Sequence, residues 1–464
     1  MLGGYAWICY GVCITMSLQN YFHDNSDAAA RHNSIDPSLH RRFNTKRGLR
    51  NDDGTGVLIG LTEIGEVHGY YIDDQERMPD EGRLSYRGMS VADIVQGFQT
   101  DRRFGFEEVV YLLLLGELPT AAALEEFTTI LAERRALPAG FTEDMILSAP
   151  SDNIMNKLAR SVLAAYSYDS NAEDLSITNV LRQSIELIAR FPTMVAYGYQ
   201  AKRRYHHGES LHIHSPDAGK STAENLLSLI RPTQEYTPLE AEVLDLALVL
   251  HAEHGGGNNS AFTIHVVTSA ATDTYSAVAA AVGSLKGAKH GGAAGRVRAM
   301  MRDIEEHVSD WSDDDEVTSY LQAILRREAF DRSGLIYGIG HAVYTKSDPR
   351  AVLLGRKAGE LAVSAGDERR FELYEKVARL APALFQKEKQ TDKIIAPNVD
   401  FYSGLVYSML NIPEELFTPI FAVSRIAGWS AHRIEELVSG GRIIRPAYKN
   451  IVGKVPYVPM ASRG

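Results

Sequence analysis

At 464 residues, with 45% hydrophobic and 23% charged side chains, the chain has the composition of a globular protein large enough for two or three compact units. A formal net charge of −11 with scattered basic residues disfavours nucleic acid or an anionic membrane as partner, while local basic pockets for an anionic ligand stay open. Both cysteines, Cys9 and Cys13, fall near the N-terminus, so the body has no thiol for a disulfide or a cysteine nucleophile.

The chain opens on MLGGYAWICYGVCITM, which is apolar but lacks a basic start, is too short to cross a bilayer and precedes no small-residue cleavage pattern. It reads as an extension upstream of a natural start at Met16, with a packed or disordered extension as the alternative. With no targeting pattern, the default location is cytoplasmic. Residues 17–50 are polar and turn-rich and read as an irregular arm. From Gly56 short strand-like pieces (VLIGLTEIG, VHGYYID) alternate with turns up to GRLSYRG at 82–88, and then strands nearly vanish. FEEVVYLLLLGEL, 106–118, reads as a helix with Glu107 and Glu108 in its first turn, stopped by Gly116 and Pro119. NKLARSVLAAYSY and VLRQSIELIARFPTMVAYGY continue the series. YHHGESLHIH, 205–214, holds four histidines without a repeated ligand spacing and reads as a polar loop rather than a metal site. Helix after helix with no internal repeat predicts a mainly α architecture.

Chemistry concentrates where helices end in glycine. In LDLALVLHAEHGGGNNSAFTIHVV, 244–267, Thr237, Pro238 and Glu240 mark the helix start. His251 and His254, three apart, are expected on one face at its end, before Gly255-Gly256-Gly257. Their spacing lacks the pattern of a zinc protease helix, and no cysteine ligand is near. TDTYSAVAAAVGSLKGAKHGG, 272–292, is a small-residue helix ending at His290-Gly291-Gly292. Gly338-Ile339-Gly340-His341 precedes Asp348 and Pro349, which cap and open a helix whose first turn holds Arg350. An arginine there opposes the helix dipole, so an anionic partner is expected. Asp400 in PNVDFYSG is a lone acid among apolar and turn residues, and Arg425 (FAVSRIAGW) and Arg445 (RIIRP) complete the set.

Taken singly, each has a structural explanation: His341 as a backbone cap, Asp400 as a helix cap, Arg425 paired with a core acid. Together they are harder to explain that way. Converging arginines bind carboxylates bidentately and indicate a di- or tricarboxylate substrate. Histidines and one carboxylate, with no cysteine and no metal pattern, indicate acid–base chemistry at a carbon next to a carbonyl.

HAEHGGGNNSAFT, KHGG, GIGHAVYTKSDPRA, PNVDFYSG and the FAVSR and RP arginines, in this order, closely resemble the citrate synthase family, as do GRLSYRG and FEEVVYLLLLGELPT upstream. The resemblance runs from about Gly56 to the C-terminus. It implies a mainly α, two-domain homodimer with the site in the cleft: an arm over 1–50, a large domain over 51–292 and 406–464, and a small domain over 293–405 inserted between them. The implied reaction is a Claisen-type condensation of acetyl-CoA with oxaloacetate and water to citrate and CoA, through an enol(ate) and citryl-CoA. Acetyl-CoA is a cosubstrate, with no tightly bound cofactor and no metal. By this resemblance Asp400 is the base at the acetyl methyl, His290 bonds the enol(ate) oxygen and His341 polarises the oxaloacetate carbonyl. His254, Arg350 and Arg425 bind oxaloacetate, and Arg445 reaches in from the partner subunit. Lys346 and Lys393 are candidate CoA phosphate contacts. A positioned base with a preorganised oxyanion site is what a weakly acidic thioester α-proton needs, and the cysteine-free body argues against Claisen enzymes that use a thiol nucleophile.

The chain departs from the family pattern at Glu253 and Gly255 and at Ala293-Ala294, where HGGAN is usual; loss of that Asn is expected to affect His290. The rival reading is 2-methylcitrate synthase, using propionyl-CoA, whose discrimination rests on one methyl group worth about 1–3 kcal/mol. From another class, a catalytically impaired binding homologue would have lost Asp400, His290 or His341, and all three are present.

Overall fold

The structure is a computed structural model that describes residues 20–463 apart from 24 and 75. The apolar N-terminal stretch, with Cys9, Cys13 and the start expected at Met16, lies outside the described residues. The described residues divide into two compact units, one up to Gly60 and one from Leu61. In the first, the arm predicted to be irregular is helical over residues 20–23 and 25–32 and again at Ser38–Arg42, and it closes on an antiparallel bridge between Arg50 and Gly56.

The second unit opens on an antiparallel sheet, β1 (Gly65–Asp73), β2 (Glu76–Tyr86) and β3 (Met89–Ser90), in the order β1-β2-β3. Gly65 pairs with Tyr86 and the register shifts between His68 and Tyr70. The predicted VHGYYID strand lies in β1, whereas of VLIGLTEIG only Gly65 joins the sheet, and Leu58 and Leu61 stay exposed. Helices follow: α1 (Val91–Thr100), α2 (Phe106–Leu115), α3 (Ala121–Arg134), α4 (Ile154–Ala165), α5 (Ile177–His207), α6 (Thr222–Ile230), α7 (Pro238–His251), α8 (Asn259–Thr268) and α9 (Thr274–Leu285). Then come α10 (Ala293–His307), α11 (Asp314–Leu325), α12 (Pro349–Ala365), α13 (Glu368–Lys389), α14 (Val399–Met409) and α15 (Phe417–Val438). The expected mainly α class is the one found. Among the described residues no helix is long and apolar enough to cross a membrane.

Local chemistry sets the ends that matter. α2 is capped from the core by the Asp245 carboxylate, which accepts from the amides of Gly105 (2.7 Å) and Phe106 (3.2 Å). It stops at Leu115, short of the predicted Leu118, because Gly116 turns left-handed at φ 88°. α7 has the predicted capping box of Thr237 and Glu240 with Pro238 in its first turn. It ends at His251, before His254, and the cause is Tyr86. That hydroxyl donates to Val249 O at 2.9 Å and receives the Glu253 amide at 3.4 Å, standing where the next helical hydrogen bond would form. His254 therefore sits in the turn beyond the helix and does not share its face with His251. The histidine-rich segment begins as the last turn of α5, which runs through Pro192 and ends at Gly208.

α15 is the central strut, packing on α2, α5, α7 and α8. α14 packs on α10 and α12, while α13 covers α11 and α12. The site forms where these two groups of helices present their ends.

Candidate active site

The turn after α7 carries His254, whose Nε2 is buried without a hydrogen-bond partner. Beside it Arg425 of α15 is fully buried; its Nε donates to His251 O at 2.6 Å, while both terminal nitrogens lack partners. The Arg425 guanidinium lies over Phe421 at 4.7 Å, and His251 packs on the same ring at 4.5 Å. Buried donors without acceptors are costly. Here they belong to a cation and an imidazole facing one place, an arrangement that a carboxylate ligand completes.

His290 lies in the turn after α9, which ends at Leu285 rather than running on to the glycines. Its Nε2 is 3.0 Å from Ser260 Oγ, which also receives Trp429 Nε1 at 3.1 Å. Gly291 explains the KHGG run: its amide donates to Leu285 O (2.9 Å) and its carbonyl accepts from Thr418 Oγ1 (2.8 Å). A Cβ there would lie 2.7 Å from Thr418 Cγ2. Ala293 and Ala294 open α10. The ring is thus anchored by Ser260 and Trp429, without a contribution from the position where the family usually has Asn.

His341 and Asp400 come from segments fastened to each other. Gly340 N donates to Ala396 O (2.7 Å), Asn398 N to Gly338 O (2.8 Å) and Asn398 Nδ2 to Gly340 O (2.8 Å). Gly338 has φ +78°, and a Cβ on it would strike Phe401 and Val297. His341 Nδ1 accepts from the amides of Val343 (3.0 Å) and Tyr344 (3.1 Å), so the ring proton belongs on Nε2, which becomes a donor. The cap of α14 is Asn398, and Asp400 stands in the first turn. The predicted anionic partner of Arg350 is its neighbour Asp348: Nε to Oδ1 is 3.0 Å and a terminal nitrogen to Oδ2 is 2.8 Å. Asp348 caps α12 and also receives Val399 N at 3.1 Å, tying Arg350 to the start of the Asp400 helix.

The segments meet at Tyr344. His254 and His341 have ring centroids 5.2 Å apart, Tyr344 lies 4.7 Å from His341 and 5.6 Å from His254, and Arg350 sits over its ring at 5.4 Å. Burial raises the Asp400 carboxyl to about 6 against the pull of Arg350. Burial lowers His290 to about 4, with Arg425 adding to the effect. His254 is pushed well down by burial and then by Arg350, His341 and Arg425. At neutral pH the site thus holds neutral imidazoles and one carboxylate whose basicity is raised, a pairing suited to proton abstraction with hydrogen-bond stabilisation of an oxyanion.

A cleft of about 540 Å³ opens beside these groups, lined by Lys346, Asp348, Arg356, Phe371, Pro397 and Tyr402 among others. Of the two predicted phosphate contacts, Lys346 lines it; Lys393 is exposed and does not. Arg445 is exposed on the irregular segment after α15, outside the constellation within one chain. Sequence reasoning did not single out Ser260, Trp429, Tyr344 or Asp348 as site-forming. Ser260 and Asp348 lay within the quoted motifs, while Trp429, one helical turn beyond Arg425, was the available signal for the other wall.

The family profile "Citrate synthase, C-terminal domain" matches residues 53–447. The chain belongs to the citrate synthase family. It is 35% identical to citrate synthase of Haloferax volcanii, over 86% of this chain and 94% of that one. It is 34% identical to 2-methylcitrate synthase 2 of Corynebacterium glutamicum, over 84% and 92% respectively. A ternary complex of carboxymethyl coenzyme A and oxaloacetate with citrate synthase from Thermoplasma acidophilum has the same fold, with a TM-score of 0.71 and 25% identity over 90% of this chain and 99% of that one. The chain is accordingly an acyltransferase of this family, with the mainly α fold its members share.

Proposed function

We propose that the chain condenses acetyl-CoA with oxaloacetate and water to citrate and CoA, with Asp400 as base, His290 and His341 as the two oxygen partners, and His254, Arg350 and Arg425 as the oxaloacetate contacts. The observation that carries this reading is the set of buried, unpartnered nitrogens on His254 and Arg425 facing the fastened His341 and Asp400 segments. Asp400 takes a proton from the acetyl methyl. His290 steadies the enolate oxygen: its Nε2 is held by Ser260 Oγ, which accepts from Trp429 Nε1 and also stands 3.0 Å from Asn258 Oδ1, and Nδ1 is the ring nitrogen left to face the substrate. The enol carbon forms a bond to the oxaloacetate carbonyl carbon, and His341 Nε2–H supplies the proton to the new alkoxide. Water then cleaves the thioester of citryl-CoA, releasing CoA and citrate, with no covalent enzyme intermediate.

Lys346 and Arg356 at the cleft support it as the CoA site, the two cations serving phosphates, and Lys393 is a weaker candidate. We propose a homodimer in which Arg445 completes the partner's site. The exposed tail that carries it also exposes Ile443, Tyr448 and Tyr457, apolar surface suited to a second copy. Residues 293–405 act as the small domain that closes on substrate, and citrate formation assigns the enzyme to the tricarboxylic acid cycle. The similarity to a 2-methylcitrate synthase keeps propionyl-CoA as the second reading.

The test is CoA release, followed with a thiol reagent, with oxaloacetate and either acyl-CoA. The expected result is a higher kcat/KM for acetyl-CoA; preference for propionyl-CoA moves the assignment to 2-methylcitrate synthase. Oxaloacetate binding without release from either leaves a binding homologue.

A further inference from the structure

Behind the turn that carries His254 lies a buried polar chain that the reaction does not use. Glu253 and His432 are both fully buried, His432 Nε2 being 3.0 Å from Glu253 Oε1. His432 Nδ1 is 3.2 Å from His265 Nε2, and His265 Nδ1 is 2.8 Å from the partly exposed Glu436. The groups facing this pair come from several elements: Tyr86 on β2, His265 on α8, and Arg425, Glu435 and Glu436 on α15. Burial alone would lower His432, but Glu253 and Glu435 outweigh it and hold the imidazole up to about 9. Burial acts to raise Glu253, and His432 and Arg425 overcome it. The pair is therefore an imidazolium on a carboxylate.

The surroundings are shaped for Glu253. A Cβ on Gly65 would lie 2.8 Å from Glu253 Cγ, and one on Gly428 would collide with its carboxylate. Glu253 Oε1 also accepts the Gly255 amide. Gly256 lies on the two imidazoles, its virtual Cβ 3.3 Å from His265 Nε2 and 3.4 Å from His432 Cε1. The backbone on both sides of His254 is thus fixed to α8 and α15 while its own ring is presented to the site.

We propose that Glu253 and His432 are positioning residues for oxaloacetate: their buried ion pair, braced by His265 and Glu436, holds the turn that aims His254 at the substrate. This rests on the reading of His254 as an oxaloacetate contact. A contact made equally in ground and transition states governs affinity rather than kcat, so loosening the turn weakens oxaloacetate binding and leaves the chemistry at Asp400 and His290 largely intact.

The experiment measures oxaloacetate affinity by calorimetry and steady-state constants by CoA release for wild type, Glu253→Gln, Glu253→Asp, His432→Asn and Glu436→Gln. Glu253→Gln and His432→Asn are expected to raise the oxaloacetate Kd and KM by about tenfold to a hundredfold, the loss expected when a hydrogen bond to a charged substrate is forfeited. Their kcat and acetyl-CoA KM should stay within about threefold of wild type. Glu253→Asp should recover part of the affinity. Glu436→Gln, near the surface, should fold normally and raise the Kd about twofold to threefold, so it decides the matter if the buried variants do not fold. Unchanged oxaloacetate Kd in Glu436→Gln and in whichever buried variants fold, with normal wild-type binding, overturns the inference alone. Wild type that binds no oxaloacetate overturns the functional reading and the inference together. His265, His432 and Glu435 also bring one ligand atom each to within 4.8 Å of one another. One tightly bound zinc per chain after dialysis, lost in Glu435→Gln, would put a cation in place of the shared proton and overturn the ion pair.

Discussion

Arg425 and Arg433 stand two turns apart on α15, equally buried, and burial lowers both guanidinium groups to about 10. Arg433 is satisfied within the protein. Its Nε donates to Thr274 Oγ1 (3.1 Å), and its terminal nitrogens donate to Thr268 Oγ1 (3.1 Å) and Thr272 O (2.7 Å). Arg425 has one such bond and two buried nitrogens with none. Burial and charge do not separate a binding arginine from a structural one. The difference is unfilled hydrogen-bonding capacity, and under the proposed function it marks the face of α15 offered to the substrate.

The largest effect that can test this contrast falls on Asp400, the proposed base. Asp400→Asn should lower kcat by about 10²–10⁴-fold, the range of general acid–base catalysis, while calorimetry still shows oxaloacetate binding. Near wild-type turnover would reassign the base. Next, Arg425→Gln should weaken oxaloacetate binding by about 2–5 kcal/mol with little change in melting temperature. Arg433→Gln should do the reverse, leaving the oxaloacetate KM unchanged and costing about 1–3 kcal/mol of stability through the partners it strands. If both variants lose affinity alike, the contrast between the two arginines is wrong.

A third prediction sets catalysis against stability at Asp400. Its folded pKa is raised from 3.8 to about 6, so folding favours the protonated acid. The contribution is fully present below the unfolded value and is lost as pH rises through the folded one, leaving a penalty of about 3 kcal/mol at neutral pH. Asp400→Asn should therefore melt higher than wild type at neutral pH, with the gain fading toward pH 4. In wild type kcat/KM should fall with unit slope as the pH drops below about 6. The smallest effect is at Ser260→Ala, which removes the His290 anchor and should reduce kcat about tenfold with oxaloacetate affinity intact.

The residues that could be read from sequence were those whose chemistry has few local alternatives. Thr237, Pro238 and Glu240 announce the start of α7, and Asp348 with Pro349 announces α12, because caps act within three residues. The His341 and Asp400 motifs were visible through their glycines and apolar neighbours. The end of α7 was not, because it is set by Tyr86, far away in sequence on β2. The partner of Arg350 was foreseen in kind, and only the structure names Asp348. Glu253 read as a departure from a family motif, since its partner His432 lies on another helix and the two glycines that make room for it are far from it in the chain.

The backbone bonds between the Gly338–His341 and Ala396–Asn398 segments have a mechanical consequence. The β1–β2 hairpin grips the same loop, Arg77 donating to Val343 O at 3.0 Å and Gly82 N to Ser347 Oγ at 3.1 Å. In the proposed reaction the proton acceptor, Asp400, and the proton donor, His341, are carried on segments fastened to one another. Their spacing is set by these hydrogen bonds before any substrate arrives. The same hairpin reaches the turn of His254 through Tyr86, so one brace spans both sides of the candidate site and sets how far apart they stand.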